Sequence, residues 1–468
     1  MTTETEQESG SGGPPREQGK FVTGSLMRHV TVMALSGTLG LMVTFLVDFL
    51  ALWWIGQLDR EELIAAVGIA GTIQFAVISV SIGMMIGAVA LIARTIGMGD
   101  QPRARRIATF AIILTTAVMS LIGLAVVVFA DPILRLSGAS GPVLDNAKLF
   151  LQVSLPSIPL FTIGVVASSV LRAAGDAWRS TAVTMIGGIV AVFIDPLLIV
   201  WMGWGVTGAA VSIVIARAAM AALGLWYVLR VHRMLARPSW ADAQLFTWPY
   251  LAIALPAIAT QMSTPVGNWI LTREIAHSGE SAVAGWGVVM RLTILAFGGI
   301  FALSGAIGGI IGQNYGAGRT DRVAEAFVAA LKFCLVYTLV VWAIMAALSG
   351  PIATSFGLSA EGEAVVRTFT HFAAGSFVFT GALFVANAAF NNLGHPLRST
   401  WANWTRDGIA MYPLAVAGAA WAGAQGVVWA QAVANVLAGA VAAWLAWRFI
   451  RGLNRTAAPV GAVPRAAE

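Results

Sequence analysis

The chain has 468 residues, 58% of them hydrophobic and only 11% charged, with a formal net charge of +6. A water-soluble domain of that size needs far more charge to cover its surface, so the apolar excess must face lipid. The single cysteine, Cys334, excludes a disulfide framework and any cysteine-based metal cluster.

Residues 1–24 are polar and rich in Gly, Pro, Ser and Glu, which predicts a disordered cytoplasmic N-terminus. No charged n-region leads into a small-residue cleavage site, so the first apolar helix is expected to stay in the protein. Apolar runs then recur at about 30–56, 64–92, 107–130, 147–170, 181–202, 207–230, 249–275, 282–312, 326–348, 366–390, 400–420 and 425–449. Each is long enough to cross a hydrocarbon core of ~30 Å, and none alternates as a barrel strand would. The reading is an all-α integral membrane protein of twelve spans. Residues 25–231 hold the first six and 248–452 the second six. Residues 232–247 form a polar cytoplasmic linker, and 453–468 a disordered cytoplasmic tail.

Lysine and arginine set the orientation. Arg94, Arg103, Arg105, Arg106, Arg172, Arg179, Arg230, Arg233, Arg237, Arg319, Arg322, Lys332, Arg398, Arg448, Arg451 and Arg455 fall on one side. Only Arg60, Arg135, Lys148 and Arg367 fall on the other, so about 20 basic residues face about 4, and both termini are placed in the cytoplasm. Arginine outnumbers lysine, and Ala, Gly and Trp abound, which suggests a GC-rich bacterial genome and hence an inner membrane.

The two halves repeat. Ala93-Arg94-Thr95-Ile96-Gly97-Met98-Gly99 corresponds to Gly312-Gln313-Asn314-Tyr315-Gly316-Ala317-Gly318, and Gly175 with Arg179-Ser180-Thr181 to Gly394 with Arg398-Ser399-Thr400. Gly205-x-x-Gly208 corresponds to Gly423-x-x-Gly426 at the same offset of about 218–219 residues. Each half has an even number of spans, so the halves share an orientation, with a cavity expected between them.

The same landmarks resemble the MATE (multidrug and toxic compound extrusion) family of the MOP flippase superfamily. They include Leu63-Ile64-Ala65-Ala66-Val67-Gly68, Leu171-Arg172-Ala173-Ala174-Gly175-Asp176, Asp195-Pro196-Leu197-Leu198-Ile199, Gly205-Val206-Thr207-Gly208-Ala209-Ala210 and the Gln313 motif. The pattern is closer to the DinF-like branch than to the NorM-like one. The resemblance implies a V-shaped pair of six-helix bundles that exports lipophilic, often cationic drugs in exchange for H+ or Na+. No enzyme activity, catalytic residue, metal or further cofactor is implied. The implied partners are the lipid bilayer and small lipophilic cations; nucleic acid is not among them, and the chain is taken as a monomer.

Asp48 and Asp195 lie inside spans one and five, where an ionised carboxylate is costly enough to suggest a task, and both are candidates for ion coupling. The alternative is that one of them pairs with Arg217 in span six. Ala191 and Ile213 stand where the family's cation-binding branch has neutral oxygen ligands, and Ala51 where its first aspartate is expected. Hard cations want several oxygens, so protons are favoured over sodium. Span seven offers Gln261, Ser263 and Thr264 but no acid. Arg273 and Glu274, near its end, are expected to form an interfacial ion pair.

Asn268, Gln261, Met262, Met290 and Phe161 are candidate substrate contacts, since thioether and aromatic walls adapt to varied ligands. Met42, Phe45 and Phe49 belong to the same class. For any one of them, lipid-facing or core packing is the alternative. Arg406 and Asp407 should diverge along their helix and find other partners, with Arg291 expected to meet Asp407. Pro156, Pro159, Pro256 and Pro265 predict kinks. A lipid-linked or narrow-metabolite flippase is the competing reading. An intramembrane enzyme is disfavoured, because His29, His232, His277, His371 and His395 show no metal spacing and no nucleophile elbow or P-loop occurs.

Overall fold

The computed structural model of the protein describes residues 19–58 and 61–455, and its described residues are helical with no strand. Residues 1–18 and 456–468, the outer parts of the stretches 1–24 and 453–468 expected to be disordered, lie outside the description, as do the side chains of Asp48, Leu52, Glu61, Asn454 and Arg455. Within those stretches, however, Lys20–Val22 forms a 3-10 turn with Phe21 and Val22 buried, and the last helix runs to Arg455. Spans one to seven are Leu26–Gly56, Glu62–Gly97, Gln101–Val128, Gly141–Ala173, Ala177–Trp201, Gly205–Val231 and Trp240–Ala276. Span eight is Glu280–Ala296 with Gly298–Gly316, span nine Thr320–Ala347 and span ten Ala373–Asn392. The helix Pro396–Leu453 is two spans in one, because Ala422 and Gly423 leave helical backbone (φ −146 and +57). It supplies spans eleven and twelve.

The repeat read from the motifs extends to elements that the motifs do not include. Short helices Ala130–Leu136 and Ser349–Ser355 start 219 residues apart, as do Gly141–Ser154 and Ala360–His371. The result is two pseudo-symmetric six-helix bundles. The first span of each bundle packs partly on the other bundle. Leu26, Val30, Met33 and Ala34 of span one belong to the core of the second half, and Phe246, Tyr250 and Ala254 of span seven to that of the first.

Span seven begins at Trp240, so the connection is only 232–239, and residues 240–247 of the expected linker are its first turns. Their side chains explain the extension: Asp242 is 4% exposed and accepts from Arg106 Nε at 2.6 Å, while Phe246 packs on Phe110. Tyr250, fully buried, ties three spans together. Its hydroxyl donates to the Met84 carbonyl at 2.7 Å and lies 2.8 Å from Thr115 Oγ1. Tyr250→Phe leaves the buried Thr115 hydroxyl without that partner, at an expected cost of about 1–3 kcal/mol. The purified variant should therefore melt below the wild type, and an equal melting temperature would remove Tyr250 from the load of the fold.

The breaks have distinct causes. Span four tightens to a 3-10 turn at Leu155–Ser157, beside Pro156 and Pro159. Span seven stays helical through Pro256 and Pro265. Span eight bends by 47° between Ala296 and Gly298 without any proline. There the Tyr337 hydroxyl of span nine donates to the Ala296 carbonyl at 2.9 Å and accepts from the Gly299 N–H at 3.2 Å. An inserted side chain thus replaces the interrupted backbone ladder, and a Cβ at Gly299 would strike the Tyr337 ring.

Close approaches between the halves gather toward the face that carries the described chain ends. Gly37 meets Ala302, Gly83 meets Ile258, and Gly87 meets Ala254. At the edge of that face spans two and eight cross backbone to backbone. A Cβ at Gly97 would overlap the Gln313 carbonyl, and one at Gly316 would overlap the Arg94 carbonyl. Gly97 and Gly316 are repeat partners (316 − 97 = 219), so the seal is built twice around the pseudo-twofold axis. Further along span two, Phe75 faces the space between the halves and is 55% exposed.

Candidate functional site

Between the halves lies a cavity of about 440 Å³. Its walls differ in chemistry. Spans one and two contribute Leu41, Phe45, Phe75, Ile82, Met85, Ile86 and Val89, with Ser79 the lone polar side chain. The second half contributes Gln261, Asn268, Asn387, Asn391, Asn392, Asn403, Gln431 and Asn435, several hydroxyls, and Arg406 with Asp407.

Arg406 and Asp407 pair with each other, contrary to the expected divergence. Arg406 Nε and Nη2 donate to the two Asp407 oxygens at 2.7 and 2.9 Å, and the Ser263 hydroxyl adds a third bond at 2.8 Å. The pair forms within a π-helical stretch, Thr405–Ala410, whose wider turn lets neighbouring residues approach more closely than an α-helix does. Gly267 of span seven makes room for the carboxylate, because a Cβ there would sit 3.0 Å from the Asp407 side chain. Arg291 is exposed and takes no part. Removing one partner of a buried ion pair leaves an uncompensated charge, so Arg406→Met should cost about 3–5 kcal/mol. Arg406→Met with Asp407→Asn should recover most of that loss in a thermal melt. Equal melts for the single and double variants would show that the pairing carries no stability.

The polar wall is a connected lattice. Asn403 donates to the Asn387 side-chain oxygen at 3.0 Å, Ser399 to Asn391 Oδ1 at 3.1 Å, and Asn435 to Ser376 at 3.3 Å. The first half builds the corresponding places with arginine. Arg172, the repeat partner of Asn391, bonds Ser168 and Ser180 at 3.1 and 3.2 Å. Arg217, the partner of Asn435 at an offset of 218, donates to the Ser154 carbonyl, Ser157 Oγ and Gln74 Oε1 at 2.8, 2.9 and 3.2 Å. It also lies 5.5 Å from the Phe161 ring centre.

Asp195 therefore has no claim on Arg217. Asp195 stands six residues before the end of span five, about 9 Å along the axis, whereas Arg217 is twelve residues into span six, about 18 Å deep. Asp195 is 3% exposed, and among the described residues it has no cation partner. Ser212 stands beside it, yet the Ser212 hydroxyl makes no hydrogen bond of acceptable geometry. Asp195 does not line the cavity. The side chain of Asp48 lies outside the described residues.

Among the candidate substrate contacts, Gln261, Asn268 and Met290 line the cavity. Met262 is absent from its described lining, and Phe161 sits behind the wall against Arg217. The expected Arg273–Glu274 pair does not form. Adjacent residues on a regular helix diverge by ~100°, so Arg273 lies over Trp269 at 5.6 Å while Glu274 is 7% exposed without an ionic partner among the described residues. The carboxamides of spans ten to twelve escaped sequence reasoning. Their signal was present: Asn387, Asn391, Asn392 and Asn403 are polar residues in or beside apolar runs, at repeat positions where the first half has Ser168, Arg172, Ala173 and Thr184.

The chain matches the MatE family model over residues 38–197 and 256–416. It is 27% identical to the FAD transporter of Shewanella oneidensis, over 91% of this chain and 95% of that protein. To the probable multidrug resistance protein YpnP of Bacillus subtilis it is 25% identical, over 87% and 92% of the two chains. A solved outward-facing structure of a multidrug resistance MATE family transporter of the MOP superfamily superposes with a TM-score of 0.86. Identity is 22%, and the match covers 93% of this chain and 98% of that one.

Proposed function

Because the chain belongs to the MatE family of membrane transporters, we propose that it exports drug-sized amphipathic molecules across a bacterial inner membrane in exchange for protons. One observation carries this reading: a cavity of about 440 Å³ between halves that a doubled glycine crossing seals at one face. Such a site needs only a rocking of one half against the other to change sides. The sealed face is the arginine-rich one, which the positive-inside rule assigns to the cytoplasm, so the cavity opens outward.

Asp195 is the coupling group in this account, with Asp48 as its companion in the same half. A carboxyl buried without a cation is stable only when protonated or when it holds one. Sodium would need several oxygens, and Ala191 and Ile213 supply none from their side chains. The described cavity wall offers a cationic substrate no net attraction, since its one acid and one base neutralise each other. Any preference for cations therefore rests on the two first-half aspartates. The carboxamide wall favours a second reading, a polar metabolite, which the relative named as a FAD transporter also suggests.

The test is accumulation of ethidium and of riboflavin by cells lacking their own major pumps. Cells expressing the protein should hold less of at least one compound, and a protonophore should abolish the difference. Equal accumulation with verified membrane expression would contradict the export reading for both classes.

A further inference from the structure

The cavity holds a directional site. We propose that it takes a ligand in one orientation, with a flat apolar part on Phe45, Phe75 and Met85 of the first half and an uncharged hydrogen-bonding head on the carboxamides of the second. The ligand class is a planar heterocycle with an amide- or imide-type edge. The inference rests on the export reading of the cavity and adds which chemistry it selects.

Three observations converge on that orientation. The first is the placement of the polar groups: spans one and two contribute only Ser79, whereas every carboxamide stands on spans seven and ten to twelve, beside Trp286, Phe301, Phe377 and Phe384 of the same half. The second is unused bonding capacity. Asn392 is 5% exposed, and its Oδ1 is buried with no hydrogen-bond partner. Gln261, Asn268 and Gln431 make no side-chain hydrogen bond among the described residues, although the surrounding lattice of Asn387, Asn391 and Asn403 is tied together. A buried polar atom left empty costs free energy unless a ligand or water fills it. Carboxamides offer donors and acceptors side by side, which matches an amide or imide edge and gives a permanent cation nothing specific.

The third is charge. Asp407 is saturated by Arg406 and Ser263, so the acid at the polar end is not free for a cationic head. The first half shows the contrast, because its repeat positions hold Arg172 and Arg217, whose bonds run to serines, to Gln74 and, from Arg172, to the sulfur of Met85 in the apolar wall. Duplication has left one half with internal arginine struts and an apolar surface, and the other with free amides facing the ligand.

The test is binding of two probes to the purified protein. Riboflavin has a methyl-bearing apolar edge and an uncharged imide edge; tetraphenylphosphonium is a permanent cation without hydrogen-bonding groups. Gln261→Met and Gln431→Met are near-isosteric and break no existing side-chain bond, so the fold should persist, as a thermal melt will verify. Each should weaken riboflavin about tenfold and leave tetraphenylphosphonium within about twofold, while Phe75→Ala should weaken both. Riboflavin binding unchanged in both glutamine variants, or tetraphenylphosphonium bound by a protein that ignores riboflavin, would overturn the orientation but leave the export reading standing. Failure of both probes to bind would overturn both readings.

Discussion

A valine at Gly316 is expected to abolish export while leaving the helices folded. Gly316 packs against the Arg94 carbonyl, and Gly97 packs reciprocally against the Gln313 carbonyl, so closely that a Cβ at either would overlap backbone. Backbone cannot step aside as a flexible side chain can. The clash exists only while spans two and eight are crossed, so the variant is barred from the sealed state and not from membership in the fold. Moving a two-state equilibrium from 1:99 to 99:1 takes about 5.5 kcal/mol, and a carbon–carbonyl overlap of this kind exceeds that unless the helices separate. A transporter held open at one face cannot complete a cycle.

Efflux from cells is the first readout. The second is modification of a cysteine at Gly305, which lines the cavity where a side chain meets open space, in a Cys334→Ala background. With Gly316→Val the reporter should become reachable from the cytoplasmic side. Gly97→Val should do the same, by the symmetry of the crossing. Wild-type efflux in either variant would mean that the crossing is not the seal.

Asp195→Asn should reduce proton-driven export at least tenfold, in line with the cost of placing an acid inside a membrane without a task. Substrate binding should persist, because Asp195 is not part of the described cavity wall. The bland alternative, a structural ion pair with Arg217, predicts a different pattern. Under that alternative Arg217→Met would match Asp195→Asn, and the double variant would recover. The bonds of Arg217 to Ser154, Ser157 and Gln74 argue against such coupling. Recovery of export in the double variant would reinstate the ion pair and remove Asp195 from the proton path.

Much of the architecture was legible before any coordinate. Apolar runs gave the twelve spans because lipid demands ~20 apolar residues per crossing, and the 219-residue repeat extends to the short helices Ala130–Leu136 and Ser349–Ser355, which share Pro132-Ile133 and Pro351-Ile352. The break at Pro156 followed from a local rule. What escaped needed partners distant in sequence. The bend at Gly298 is made by Tyr337, and the early start of span seven by Arg106 and Phe110.

The site was legible in pieces. Gln261, Asn268 and Met290 drew attention as polar or adaptable residues in an apolar helix, and they line the cavity. Helical-wheel reasoning separated Arg406 from Asp407 because it assumed an α-helix where the chain widens into a π turn. The Arg217 alternative for Asp195 looked open because the partners that occupy Arg217, on spans two and four, are distant in sequence. The carboxamide wall was overlooked because each asparagine alone reads as inter-helix glue; only their convergence on one side of a cavity makes them a surface.

The most direct measurement is movement of riboflavin and ethidium by the purified protein in liposomes, under an imposed pH gradient and, separately, an imposed sodium gradient. The account predicts that the pH gradient alone drives at least one of them, that a protonophore stops it, and that Gly316→Val and Asp195→Asn fail to respond. Transport driven by sodium and indifferent to pH, or undiminished in Asp195→Asn, would contradict the proton-coupled exporter at its centre.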